Sequence, residues 1–166
     1  MIIAPEPPDR ADVRELLDEH LAEMRATSPP GSVHALDHGA LLAPSITFLT
    51  ARDGAGALLG CGALAELSTG RGAARGRGHG ELKSMRTSRG ARGRGVGGGV
   101  LAALVDLAAQ RRYARVSLET GAQEHFAPAR RLYARHGFVE CGPFAGYGPD
   151  AHSVFMTLAL PGRDPV

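Results

Sequence analysis

The sequence predicts an α/β (α+β) domain, with one mixed sheet of about six to seven strands flanked by helices. Three observations carry that expectation. Two strand-like runs in the first half are joined by an Asp53-Gly54 turn, as in a hairpin. The second half alternates strand-like and helix-like runs in βαβα order. Finally, 166 residues with 43% apolar and 22% charged side chains are an ordinary globular composition, long enough for one real core.

Residues 9–26 carry Val13, Leu16, Leu17, Leu21 and Met24 at three- and four-residue steps, the period of an amphipathic helix. Asp9 is its expected N-cap and Ser28-Pro29-Pro30-Gly31 its stop. A second short helix or loop spans 33–43, and 46–52 and 57–67 are the hairpin strands. A polar glycine/arginine loop over 68–80 leads to a strand at 81–87 and a helix at 96–112. Residues 115–120 form a strand in which Val116 and Leu118 alternate with polar neighbours. A helix over 126–136 stops at Gly137, where glycine commonly follows a C-cap. Strands at 138–141 and 153–160 close the chain, separated by the Gly/Pro-rich loop 142–150.

The most informative stretch is Arg92-Gly93-Arg94-Gly95-Val96-Gly97-Gly98-Gly99, placed between a strand and an apolar helix. A glycine-rich turn that opens a helix presents backbone N–H groups, backed by the positive end of the helix dipole. Arg89, Arg92 and Arg94 add charge, so a phosphate or pyrophosphate is the expected occupant. No Lys-Ser/Thr follows, which excludes a Walker A loop. Gly93-x-Gly95-x-x-Gly98 has the dinucleotide spelling, but it lies past mid-chain and opens no second βαβ half. A flexible linker is the bland alternative, and it need not sit at a strand-to-helix junction.

Net charge is +2 but unevenly distributed: −6 over residues 1–66, +9 over 67–117 and −1 over 118–166. Positive charge gathers around the glycine turn, which suits a polyanionic ligand, either a nucleotide-like cofactor or nucleic acid. No apolar run reaches membrane-spanning length, and the first residues lack a signal-peptide pattern. Cys61 and Cys141 form no metal or redox motif. A cytoplasmic location and no membrane partner are therefore expected.

Two motifs stand in order: Arg92-x-x-Gly95-x-Gly97 opening a helix, then Ala129-Arg130-Arg131-Leu132-Tyr133-Ala134-Arg135-His136-Gly137-Phe138. The pair resembles the GNAT superfamily of acyl-CoA-dependent N-acetyltransferases, over roughly residues 58–160. The resemblance implies a single N-acetyltransferase domain across 1–166, with acetyl-CoA as co-substrate and no metal. It implies that Arg92, Gly93, Arg94, Gly95, Val96, Gly97 and Gly98 hold the pyrophosphate. Backbone groups of Met85, Arg86 and Thr87 are expected to meet the pantetheine amides as an added strand would. The family often has Asn seven residues before the tyrosine; here that residue is Phe126.

Acetyl transfer from a thioester requires a proton to leave the amine and one to reach the departing thiolate. By the resemblance Tyr133 is the acid, a phenol being able to protonate a thiolate. Glu81, before the pyrophosphate loop, is the expected base, with Glu66 and Glu119 as rivals on neighbouring strands; an amine arriving neutral needs none. His34, Asp37 and His38 are too few for a metal site.

The expected function is acetyl transfer from acetyl-CoA to a small-molecule or peptide primary amine, by a monomer or a homodimer. The acidic N-terminal third favours a cationic amine, such as a polyamine, an aminoglycoside or a peptide N-terminus. The rival is a nucleic-acid-binding module using Arg71, Arg75, Arg77, Arg86, Arg89, Arg92 and Arg94. Against it, aromatics are 5% of the chain and none lies between Phe48 and Tyr113, where base stacking would need them. A third reading keeps the CoA site in a non-catalytic sensor domain.

Overall fold

The computed structural model describes residues 1–67 and 78–161. Seven strands make one mixed sheet: β1 (Ile2–Pro5), β2 (Ile46–Arg52), β3 (Leu58–Leu67), β4 (His79–Thr87), β5 (Arg115–Gly121), β6 (Val139–Cys141) and β7 (Ser153–Ala159). Their order across the sheet is β1-β2-β3-β4-β5-β7-β6. Four helices accompany them: α1 (Ala11–Thr27), α2 (His38–Leu41), α3 (Val96–Gln110) and α4 (Ala127–Arg135). Side chains alternate across the strands and divide the core in two. Phe48, Cys61 and Ala63 meet Val13, Leu16 and Leu17 of α1, with Leu41 of α2, on one face. Leu49, Leu64, Leu82, Val116 and Leu118 meet Val100, Leu101 and Leu104 of α3, with Tyr133 of α4, on the other.

The join between β4 and β5 positions the site. It is the sheet's parallel pair, and its pairing runs from His79–Arg115 to Leu82–Leu118. Beyond Leu82, β4 continues to Thr87 without partners on β5, which stays paired with β7 along its whole length. The edge of β4 facing β5 thus loses its ladder partner over 83–87, leaving backbone polar groups that need another one. A bulge adds to the opening. Cys61 pairs with Arg86 and Ala63 with Lys83, so Ser84 and Met85 stand opposite Gly62 alone, and Ser84 takes a left-handed φ of 52°.

Several expectations require correction. The expected strand at 81–87 starts two residues earlier, at His79. A Cβ on Gly80 would lie 2.9 Å from the Tyr113 ring, so glycine here admits an aromatic side chain and does not mark a loop. The rest of the expected loop, residues 68–77, lies outside the described residues. Asp9 does not cap α1: Arg10 occupies that position without a side-chain bond, and Asp12 instead accepts from the Val13 N–H. The region 33–43 yields only α2, capped by Asp37 accepting from the Ala40 N–H. Strand β1 carries no signal of alternation; it is a four-residue edge paired to β2.

Beside β1, Arg52 fastens the sheet edge to α1. Its guanidinium donates to Glu6 at 2.8 and 3.0 Å and to Asp12 at 2.6 Å, while Thr50 Oγ1 also donates to Glu6. Burial pushes the Glu6 carboxyl up, but the bonds from Arg52 and Thr50 outweigh it and hold it below the usual carboxylate range. The Arg52 hydrogen bond does the same for Asp12. Because both acids are depressed in the fold, their stabilisation is present above ordinary carboxylate pKa values and is lost as pH falls through the lowered ones. Arg52→Ala is expected to cost roughly 2 kcal/mol near neutral pH. Thermal unfolding should show that loss shrinking towards acid pH.

Candidate active site

A cavity of about 730 Å³ opens where β4 and β5 part, walled by the end of α1, the start of α3 and α4. At one end is the glycine turn. Gly93 and Gly95 both take left-handed φ, 74° and 78°, and Gly95 is the N-cap of α3. The helical ladder starts with the Gly99 N–H on the Gly95 carbonyl. The N–H groups of Val96, Gly97 and Gly98 therefore have no helical acceptor, and all three residues line the cavity. No side-chain cap competes for them. These orphan donors suit a pyrophosphate. Arg92 and Gly93 also line the cavity; Arg94 is exposed and does not.

Met85, Arg86 and Thr87 lie along the freed edge of β4 and line the cavity, as an added-strand contact requires. Phe126, at the position of the expected Asn, supplies an apolar wall.

Tyr133 comes from the core-facing side of α4 and is 6% exposed, tilted against Phe138 at 5.9 Å, and it lines the cavity. Burial, then the charge of Glu119, raises its pKa above the usual phenol value, so it holds its proton until a strong base appears. Among the described residues its hydroxyl makes no hydrogen bond.

The three carboxylates separate clearly. Glu66 is exposed at the far end of β3. Glu81 is buried but does not line the cavity. Its Oε1 accepts from the Tyr147 hydroxyl at 2.5 Å and from Lys83 Nζ at 3.0 Å. Glu119 lines the cavity and accepts from Ser153 Oγ at 2.6 Å. Burial raises its pKa; Ser153, His34 and Lys83 pull it down, and the charge of Glu81 adds to the rise.

Sequence reasoning missed Tyr147, Lys83 and Glu23. Lys83 Nζ donates to Glu81, to the Tyr147 hydroxyl at 2.7 Å and to the His34 carbonyl at 3.2 Å, tying two loops to β4. His34 faces Asp150 at 4.0 Å and His38 bonds Asp18 at 2.7 Å, so the three-residue cluster of 34, 37 and 38 is dispersed among separate partners. Glu23, near the end of α1, gathers Arg86, Arg92 at 3.8 Å and His125 at 2.7 Å. No local pattern announces such a residue, because its partners come from three other segments.

A turn with unpartnered N–H groups thus lies beside a splayed sheet edge, an arrangement that suits a long ligand bearing phosphates and amides. The sequence matches the acetyltransferase (GNAT) family over residues 13–138, and the chain belongs to that family. It is 49% identical to the uncharacterized N-acetyltransferase YsnE of Bacillus subtilis, over 89% of this chain and 92% of that one. It is 42% identical to the uncharacterized N-acetyltransferase YedL of Escherichia coli, over 89% and 87%. A solved structure from Klebsiella pneumoniae, assigned as an acyl-CoA N-acyltransferase, superposes with a TM-score of 0.72 at 31% identity, covering 96% of this chain and 97% of that one. The protein is thus an N-acetyltransferase that draws on acetyl-CoA. No helix among the described residues is long and apolar enough to cross a membrane.

Proposed function

We propose that the protein moves the acetyl group of acetyl-CoA directly to a small-molecule or peptide primary amine, with Glu119 as base and Tyr133 as acid. The observation that carries this reading is that both side chains line the cavity that begins at the glycine turn. Acetyl-CoA supplies an acetyl group activated as a thioester. The N–H groups at 96–98 and the freed edge of β4 hold the carrier. Glu119 takes the proton from the attacking amine, and its raised pKa brings it closer to that task than an ordinary carboxylate. Tyr133 gives its proton to the sulfur as the carbon–sulfur bond breaks. Glu81, the base the sequence favoured, serves here through its charge and through its hold on Tyr147 and Lys83. A cytoplasmic location accords with the two free thiols, Cys61 and Cys141.

Tyr133→Phe keeps the ring and deletes only the donor. A thiolate is a tolerable leaving group, so kcat should fall roughly ten- to a thousandfold with KM for acetyl-CoA little altered. Steady-state thiol release with an accepted amine measures this; full activity in a folded variant would reduce Tyr133 to packing. CoA binding without amine-dependent thiol release from any amine would favour the sensor domain. The nucleic-acid alternative fits poorly, because the Arg86 side chain is buried against Glu23. Arg71, Arg75 and Arg77 lie outside the described residues.

A further inference from the structure

We propose that Arg86 anchors the acetyl acceptor and that the acceptor is an amine that also carries a carboxylate, an amino acid or a close relative. This rests on the transfer reading above and names its substrate class. The Arg86 side chain is 7% exposed and lines the cavity. Nη1 is taken by Glu23, but Nε and Nη2 have no hydrogen-bond partner among the described residues. The nearest carboxylate to Nη2, that of Glu19, stands at 3.7 Å, an ion-pair distance too long for a hydrogen bond. Nε–H and Nη2–H lie on one edge of the guanidinium, the fork that a carboxylate grips with both oxygens. Buried donors left without acceptors are costly, so their persistence needs an explanation.

Two neighbours share the condition. Ser84 Oγ, on the bulge of β4, and His20 Nδ1, on α1, are buried without hydrogen-bond partners, and both residues line the same cavity. Burial, reinforced by the charge of Arg86, lowers the His20 pKa to about 4, so the ring is neutral at physiological pH. Two elements thus present a guanidinium edge, a hydroxyl and an imidazole, a set able to surround an anionic oxygen pair. The phosphates of CoA are accounted for by the turn at 93–98. Of the acids in the N-terminal third, Glu23 is the one that lines the cavity, and it is engaged by Arg86, Arg92 and His125. Arg86 also sits between Met85 and Thr87, beside the backbone assigned to the pantetheine arm.

The test compares the pooled common amino acids with their carboxamides, at subsaturating concentration with acetyl-CoA, read as thiol release. Binding is read separately, by calorimetry of the CoA-loaded protein with N-acetyl amino acids and N-acetyl amino acid amides. The acids should exceed the amides by about tenfold to a hundredfold in both readouts. Arg86→Gln should bring the ratio towards one. Arg86→Lys, which keeps a cation for Glu23 but has no fork, should do the same while retaining a cooperative thermal transition. A ratio near one in the wild type, as expected if only water fills the cluster, would overturn the inference. So would a preference that survives in both variants. Absence of thiol release from either pool would count against the transfer reading, and a calorimetric preference for the acids would still support the anchor.

Discussion

Replacing Gly95 with valine is expected to weaken CoA binding by about a hundredfold or more. Gly95 has a φ of 78°, and nothing lies within 4 Å of a Cβ built there, so the penalty is not a clash. It comes from the backbone. A β-branched residue in the left-handed region costs about 1–3 kcal/mol, and the turn escapes that cost by relaxing away from this conformation. Relaxation re-aims the N–H groups of residues 96–98, and the open space that the valine would enter is where a phosphate must approach. Calorimetric titration with CoA measures the effect, and a melting curve establishes that the variant is folded. Equal affinity in the wild type and the variant would remove the turn from the binding site.

Glu119→Gln should lower kcat/KM by about a hundred- to ten-thousandfold near neutral pH, the range expected for loss of a general base. The deficit should narrow as pH rises through the pKa of the amine, where neutral acceptor becomes abundant. Burial raises the Glu119 pKa, so the acid limb of the wild-type profile should lie above the ordinary carboxylate value. Glu81→Gln gives the contrasting result. Removing the negative charge of Glu81 takes away one influence that raises Glu119, so the acid limb should move to lower pH, with a smaller loss of rate. The pH–rate profiles of the two variants decide the matter: a larger loss in Glu81→Gln, with an intact limb in Glu119→Gln, would exchange the two roles.

What the sequence revealed was local. The glycine turn is contiguous and its conformation is intrinsic to glycine, so its place and its left-handed backbone are legible from eight residues. The longer helices and strands announce themselves by their periods. Strand β1 does not, since four residues at a sheet edge have no alternation to read. The surroundings of Glu81 and Glu119 also escape sequence, because Tyr147 and Lys83 close over Glu81 while Glu119 lines the cavity. Tyr147 arrives from a Gly/Pro-rich loop 66 residues away. Nor does sequence show where the acidic charge of the N-terminal third goes: Glu23, its acid at the cavity, meets Arg86, Arg92 and His125 from other segments.

The short parallel join between β4 and β5 also decides which half of the sheet carries each part of the candidate site. One half of the sheet, β1 to β4, and the other, β5 to β7 with β6, are each bound by antiparallel ladders, and they meet through four residue pairs. A core in which Leu49, Leu64 and Leu82 join Val116 and Leu118 under α3 runs beneath both halves, and the cavity is the wedge where their ladders part. In the proposed transfer, the carrier along the free edge of β4 would be held by one half and Glu119 would come from the other. The candidate chemistry would then lie on the seam between two antiparallel ladders, its parts carried by different halves of one sheet.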